Sequence, residues 1–141
     1  MPVKNATVRQ TAALQKEGST YVDVRSVAEF AQGHPAGAVN VPLLHRDDRT
    51  GQMAPNRDFL TIMQANFPTD GKLLIGCQVG GRSVQAAQLL ASIGYTDVTN
   101  VLGGYDGARD EGWTQAGLPV ETEATPGTSY DSLRNKSGGS R

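Results

Sequence analysis

The sequence predicts an α/β domain over residues 1–120, with a mainly parallel central sheet and helices on both faces. Two observations carry this. Short apolar runs of β character alternate with segments of helical periodicity, and the connections between successive strand candidates are mostly too long for hairpins. The length agrees: 141 residues suffice for one full core and are too few for two domains of ordinary size.

Taken in order, residues 7–17 carry Val8, Ala12, Ala13 and Leu14 at helical spacing, and Gly18 follows as a C-cap. Tyr21-Val22-Asp23-Val24 is the next strand. Ser26-Val27-Ala28-Glu29 has the capping-box pattern, starting a short helix that runs to about Ala31 and stops at Gly33. Ala38-Val39-Asn40-Val41 is a second β candidate ended by Pro42, and residues 45–54 read as a polar loop whose Arg46-Asp47-Asp48-Arg49 cluster is solvated. Phe59, Leu60, Ile62, Met63 and Phe67 recur as one face of a core helix over 57–67. Lys72-Leu73-Leu74-Ile75 is a short buried strand, and 83–92 is a helix with Val84, Ala87, Leu90 and Ala91 on its apolar face. Residues 97–102 form another strand, followed by Gly103-Gly104 and a short helical stretch over 105–111. Beyond Val120 the composition turns polar, so 121–141 is expected to be a disordered tail. Tyr130 and Leu133 alone would bury too little apolar surface to offset the cost of ordering it.

Charged residues make up 19% of the chain, apolar ones 38%, and the formal net charge is -1. That balance provides no field for nucleic acid or an anionic membrane. No apolar run has the length of a bilayer span, and Met1-Pro2-Val3-Lys4-Asn5 lacks the apolar core of a signal peptide, so a soluble cytoplasmic protein is expected. A single cysteine excludes an internal disulfide, and with only His34 and His45 beside it the metal-ligand set is poor. Neither metal nor cofactor is expected.

That cysteine, Cys77, is the most informative residue. It heads the run Cys77-Gln78-Val79-Gly80-Gly81-Arg82-Ser83 between a strand and a helix, where open α/β sheets bind their ligands. Gly80 and Gly81 allow a tight loop whose N–H groups, with those of the first helical turn, converge on one anion. A cysteine at a helix N-terminus near an arginine is a candidate nucleophile, because both features favour its thiolate. A lone cysteine is commonly just a small core residue, but the adjacent glycines, arginine and serine point to an anion-binding loop.

Several separated pieces resemble the rhodanese family of single-domain sulfurtransferases. Asp23-Val24-Arg25, Glu29-Phe30, Gly33-His34 and Gly37-Ala38-Val39-Asn40-Val41-Pro42 are similar to its first signature. Cys77-Gln78-Val79-Gly80-Gly81-Arg82-Ser83 is similar to its active-site loop, C-x-x-G-x-R-S, and Leu102-Gly103-Gly104 and Gly117-Leu118-Pro119-Val120 resemble its closing motifs. The match spans 7–120. The resemblance implies a sulfurtransferase in which Cys77 takes a sulfane sulfur from a small donor, thiosulfate foremost, carries it as a persulfide, and passes it to cyanide or a thiol such as thioredoxin or glutathione. Gln78, Val79, Gly80, Gly81, Arg82 and Ser83 would bind substrate. Arg82 would hold the loop and offset negative charge, in preference to serving a salt bridge elsewhere. Asp23, Arg25 and Glu29 suit an internal ion pair better than catalysis, and His34 suits a hydrogen-bonded support. The chain departs from the family at Pro35, and at Ala108, where a tryptophan is usual; Trp113 lies farther along, as if a short insertion filled 107–112. Two other functions fit parts of the pattern. One is a non-catalytic rhodanese-like module that binds a protein partner. The other is a phosphatase or arsenate reductase, disfavoured because four residues rather than five separate Cys77 from Arg82 and because Gly76 stands where a histidine is usual.

Overall fold

The structure is a computed structural model and describes residues 3–47, 49–78, 81–107, 110–123 and 127–136. The chain runs β1 (Lys4–Ala6), α1 (Val8–Lys16), β2 (Thr20–Asp23), α2 (Val27–Gln32), β3 (His34–Pro35), β4 (Val39–Asn40), β5 (Leu44–Arg46), β6 (Met53–Pro55), α3 (Phe59–Asn66), β7 (Lys72–Gly76), α4 (Gly81–Ser92), β8 (Asp97–Val101), β9 (Val120–Glu121) and α5 (Tyr130–Lys136). Five strands form the central sheet in the order β1-β8-β7-β2-β4, and every pairing is parallel.

Side-chain alternation on these strands divides the interior into two cores. On β7, Leu73 and Ile75 face one side and Leu74 the other; on β2, Val22 and Tyr21 part the same way. The first side is covered by Phe59, Ile62 and Met63 of α3 and Ala86, Ala87 and Leu90 of α4. The second is covered by Val8 of α1, Phe30 of α2 and Trp113. Trp113 is 1% exposed, meets Tyr21 edge-on at 5.6 Å, and donates from Nε1 to the Pro119 carbonyl at 2.7 Å. The sheet is therefore covered on both faces, as the alternating pattern requires.

The anticipated capping box is present: Ser26 Oγ accepts from the Glu29 N–H at 3.2 Å while Glu29 Oε1 accepts from the Ser26 N–H at 3.0 Å; Thr7 and Gln10 form a second such box on α1, one not anticipated from the sequence. Three expectations need correction. The segment 45–54 is mostly the antiparallel hairpin β5–β6, pairing Leu44 with Pro55 and Arg46 with Met53. Its strands are too short and polar for a period-two pattern to show, and the backbone ladder supplies the order. Residues 105–107 form a turn rather than the start of a helix, because Gly103, Gly104 and Gly107 adopt φ of 81°, 58° and 82°, in the left-handed region; Ala108 lies outside the described residues. Besides these corrections, the structure adds an edge strand, β1, for which the sequence sets no expectation, since only Ala6 of its three residues is buried.

The third correction is the C-terminal segment. Within the stretch expected to be disordered, α5 docks on the α3 side with Tyr130 and Leu133 each 6% exposed. Polar contacts supplement these two apolar anchors. Asn66 Nδ2 donates to the Leu133 carbonyl at 3.0 Å, Asn56 Nδ2 to the Tyr130 hydroxyl at 3.3 Å, and the Asn40 N–H to the Thr128 carbonyl at 2.9 Å. Counting apolar burial alone missed these bonds, whose donors sit on distant parts of the chain. Residues 124–126 and 137–141 of the expected tail lie outside the described residues. Leu133→Ala should lower the unfolding free energy by about 2–3 kcal/mol in urea titrations; a change within about 0.5 kcal/mol would show that α5 does not support the core.

Candidate active site

Strand β7 is central and delivers Cys77 just past its carboxyl end. Parallel strands place all their carboxyl ends along one edge of the sheet, so β2 brings residues 23–25 to the same edge and β8 brings Asn100 and the turn after it. Gly76 is required here: a Cβ at that position would collide with the Tyr21 hydroxyl. Cys77 itself is 2% exposed.

The turn at 104–106 lies directly against the loop. The Tyr105 N–H donates to the Cys77 carbonyl at 2.8 Å, and the Asp106 N–H donates to the Gln78 carbonyl at 3.0 Å. Gly104, at φ +58°, allows this approach, since a side chain there would meet the Cys77 carbonyl. Beneath the thiol, Cys77 Sγ lies 3.5 Å from Ser83 Oγ. Ser83 Oγ donates to Asn100 Oδ1 at 2.6 Å, and Asn100 Nδ2 donates to Asn5 Oδ1 at 3.1 Å. With its proton committed to Asn100, the Ser83 oxygen is the acceptor for the thiol. Because α4 begins at Gly81, its first-turn N–H groups, which lack intrahelical acceptors, adjoin the loop's end.

Two ion pairs brace this edge. Arg25 is buried and grips Asp23 through Nε at 3.0 Å and Nη2 at 2.8 Å; Nη2 also donates to the Gly33 carbonyl at 2.7 Å, and the guanidinium stacks 4.3 Å over the Tyr105 ring. Its remaining nitrogen, Nη1, donates to Gln78 Oε1 at 3.0 Å. Gln78 Nε2 in turn donates to Asp106 Oδ2. Gln78 is thus clamped from both sides, a role its uncharged character did not announce. The second pair joins Arg82 to Glu29 in a two-point contact at 2.7 and 3.0 Å. So Arg82 holds the loop's end through a salt bridge to α2, the arrangement the sequence reading had ranked second.

The remaining site candidates fall as follows. Ser83 is fully buried, Gly81 opens α4, and Val79 and Gly80 lie outside the described residues. His34 is a buried support: Nδ1 donates to the Phe30 carbonyl at 2.7 Å and its ring stacks on Phe30 at 3.6 Å. Sequence reasoning did not find Asn100, Tyr105 or Asp106, which reach the loop only through strand register and the Gly103-Gly104 turn. Beside Arg82 a cleft of about 670 Å³ opens between α2 and the β5–β6 hairpin, walled by Val27, Glu29, Leu44, His45 and Met53.

Hydrogen bonds from Arg82, helped by the Ser26 N–H and opposed by burial, lower the Glu29 carboxyl from 4.5 to about 2. A carboxyl with a depressed folded-state value stabilises the fold above its unfolded value and loses that contribution as pH falls through the folded one. The stability difference between wild type and Glu29→Gln should therefore be full above pH 4.5 and fade toward pH 2. Denaturation midpoints measured across that range check this; a pH-independent difference would show that the ion pair is not its source.

Known proteins resemble this chain in sequence and architecture. The model of the rhodanese-like domain matches residues 7–111. Thiosulfate sulfurtransferase 16 of Arabidopsis thaliana, a chloroplastic protein, is 39% identical over 104 residues, covering 74% of this chain and 81% of its own. Thiosulfate sulfurtransferase GlpE of Haemophilus influenzae is 31% identical over 86% of this chain and 98% of its own. Among solved structures, that of Rv0390 from M. tuberculosis superposes with a TM-score of 0.73 at 26% identity, covering 87% of this chain and all of that one. The family match takes in β2, β4, β7 and β8 of the parallel sheet, the Cys77 loop and the turn that packs on it, and the chain belongs to the rhodanese-like domain family.

Proposed function

We propose that this chain is a sulfurtransferase that moves a sulfane sulfur from a small donor, thiosulfate foremost, to a thiol or cyanide acceptor through a persulfide on Cys77. The observation that carries the reading is the position of Cys77, set at the end of the central strand, on a loop that runs into the N-terminus of α4, with the Ser83 hydroxyl beneath it. The names of the curated relatives support the donor class.

In the first half-reaction the Cys77 thiolate attacks the outer sulfur of thiosulfate. A new S–S bond forms as the old one breaks, and sulfite departs with the bonding pair. The terminal sulfur carries the negative charge and stands about 2 Å beyond Sγ, nearer the mouth than the buried thiol. First-turn N–H groups of α4 stabilise that anion. In the second half-reaction an acceptor thiolate or cyanide attacks the terminal sulfur and Cys77 leaves as thiolate. No group has to move a proton on carbon or oxygen, in keeping with a site braced by one buried and one partly exposed ion pair. Thioredoxin and glutathione are both suitable thiol acceptors, since each supplies a thiolate that needs only the exposed outer sulfur.

Incubation with thiosulfate, and separately with 3-mercaptopyruvate, should add one sulfur, about 32 Da, to the intact mass of wild type and nothing to Cys77→Ser. Thiocyanate formation from thiosulfate and cyanide should fall to the uncatalysed rate in the same variant. Folded, reduced wild type that gains no sulfur from either donor would overturn the reading in favour of a protein-binding module.

A further inference from the structure

The side chains that brace the Cys77 loop carry unequal numbers of charges. Two guanidiniums are present, and each is already matched: Arg25 by Asp23, Arg82 by Glu29. The third carboxylate, Asp106, has no cationic partner among the described residues. It is exposed, it is held in place by its own N–H bond to the Gln78 carbonyl at 3.0 Å, and its carboxylate accepts from the Gln78 amide one residue from the nucleophile. Gln78 and Val79 bring no positive charge to offset it.

We infer that Asp106 is a specificity-determining residue that handicaps doubly charged sulfur donors, biasing the site toward donors with one negative charge or none. The inference rests on the sulfurtransferase reading and concerns the donor half-reaction. A fixed carboxylate repels a dianion with twice the energy of its repulsion of a monoanion at the same place. Rate factors follow energies exponentially, so removing the charge should act on the dianion as the square of its effect on the monoanion. Thiosulfate remains a substrate, but a disadvantaged one.

The test compares thiosulfate with methanethiosulfonate, which presents the same sulfur-to-sulfonyl bond with a single charge and leaves as a sulfinate. Asp106→Asn keeps an acceptor for Gln78 and removes only the charge. It should raise kcat/KM about fourfold for thiosulfate and about twofold for methanethiosulfonate, and added salt up to about 0.5 M should close the gap between variant and wild type. Asp106→Ala should reproduce the donor ratio of Asp106→Asn if charge rather than the Gln78 contact is responsible. Equal changes for both donors, or a loss with thiosulfate, would overturn the assignment while sulfur still loads onto Cys77 by intact mass. If neither donor loads wild type, the sulfurtransferase reading fails and this inference fails with it.

Discussion

The buried contact between Asp23 and Arg25 is the constraint on which the rest of the site depends. Moving two charges out of water is costly, and such a pair is tolerated only when further hydrogen bonds satisfy what the pair leaves open. Here they do. Arg25 spends its remaining donors on the Gly33 carbonyl and Gln78, while the Asp23 and Arg25 carbonyls both receive the Asn40 amide, at 3.0 and 3.1 Å. The ion pair thus ties the end of β2 to the turn after α2 and to the loop that carries the nucleophile, while the Asn40 amide joins the same backbone to β4. Removing either partner of a pair this deeply buried typically costs about 3–5 kcal/mol, so the site and the fold are stabilised by the same atoms.

Arg82 uses the opposite environment. It is partly exposed, and its two-point contact with Glu29 links the first turn of α4 to the capped first turn of α2. Glu29 serves both structures, closing the α2 cap through Ser26 and receiving the Arg82 guanidinium. The positive charge nearest the loop's end is therefore largely spent on architecture. Among the described residues, the start of α4 offers an anion first-turn N–H groups that lack intrahelical acceptors and need no counter-ion. The proposed persulfide, with one negative charge on a polarisable sulfur, is the kind of anion such donors would stabilise.

The cleft beside Arg82 depends on parts of the chain that do not look related. One wall is α2; the other is the β5–β6 hairpin, whose His45 lies against Tyr130 of α5, with rings 5.3 Å apart and His45 Nε2 3.3 Å from the hydroxyl. The C-terminal helix therefore braces the hairpin as well as covering the α3 core. A segment of unpromising composition becomes ordered because Asn40 of β4, Asn56 between β6 and α3, and Asn66 of α3 each contribute a hydrogen bond to it.

Much of this was legible in the sequence. Local patterns determined four of the five strands of the central sheet, the helices α1 to α4 with the α2 capping box, and the candidacy of Cys77, because strand alternation, helical spacing and cap chemistry act over a few residues. The run of motifs from Asp23 to Val120 also identified the family. Tertiary structure alone decided which charges meet. Arg82 pairs with Glu29, Gln78 bridges Arg25 and Asp106, and Asn100 takes the proton of Ser83. It also decided that α5 docks and that 104–106 forms a wall of the site. The physical reason is the same in each case: these contacts join residues whose separation in sequence carries no periodic signal, and their partners are selected by the parallel register that gathers the strand ends at one edge of the sheet.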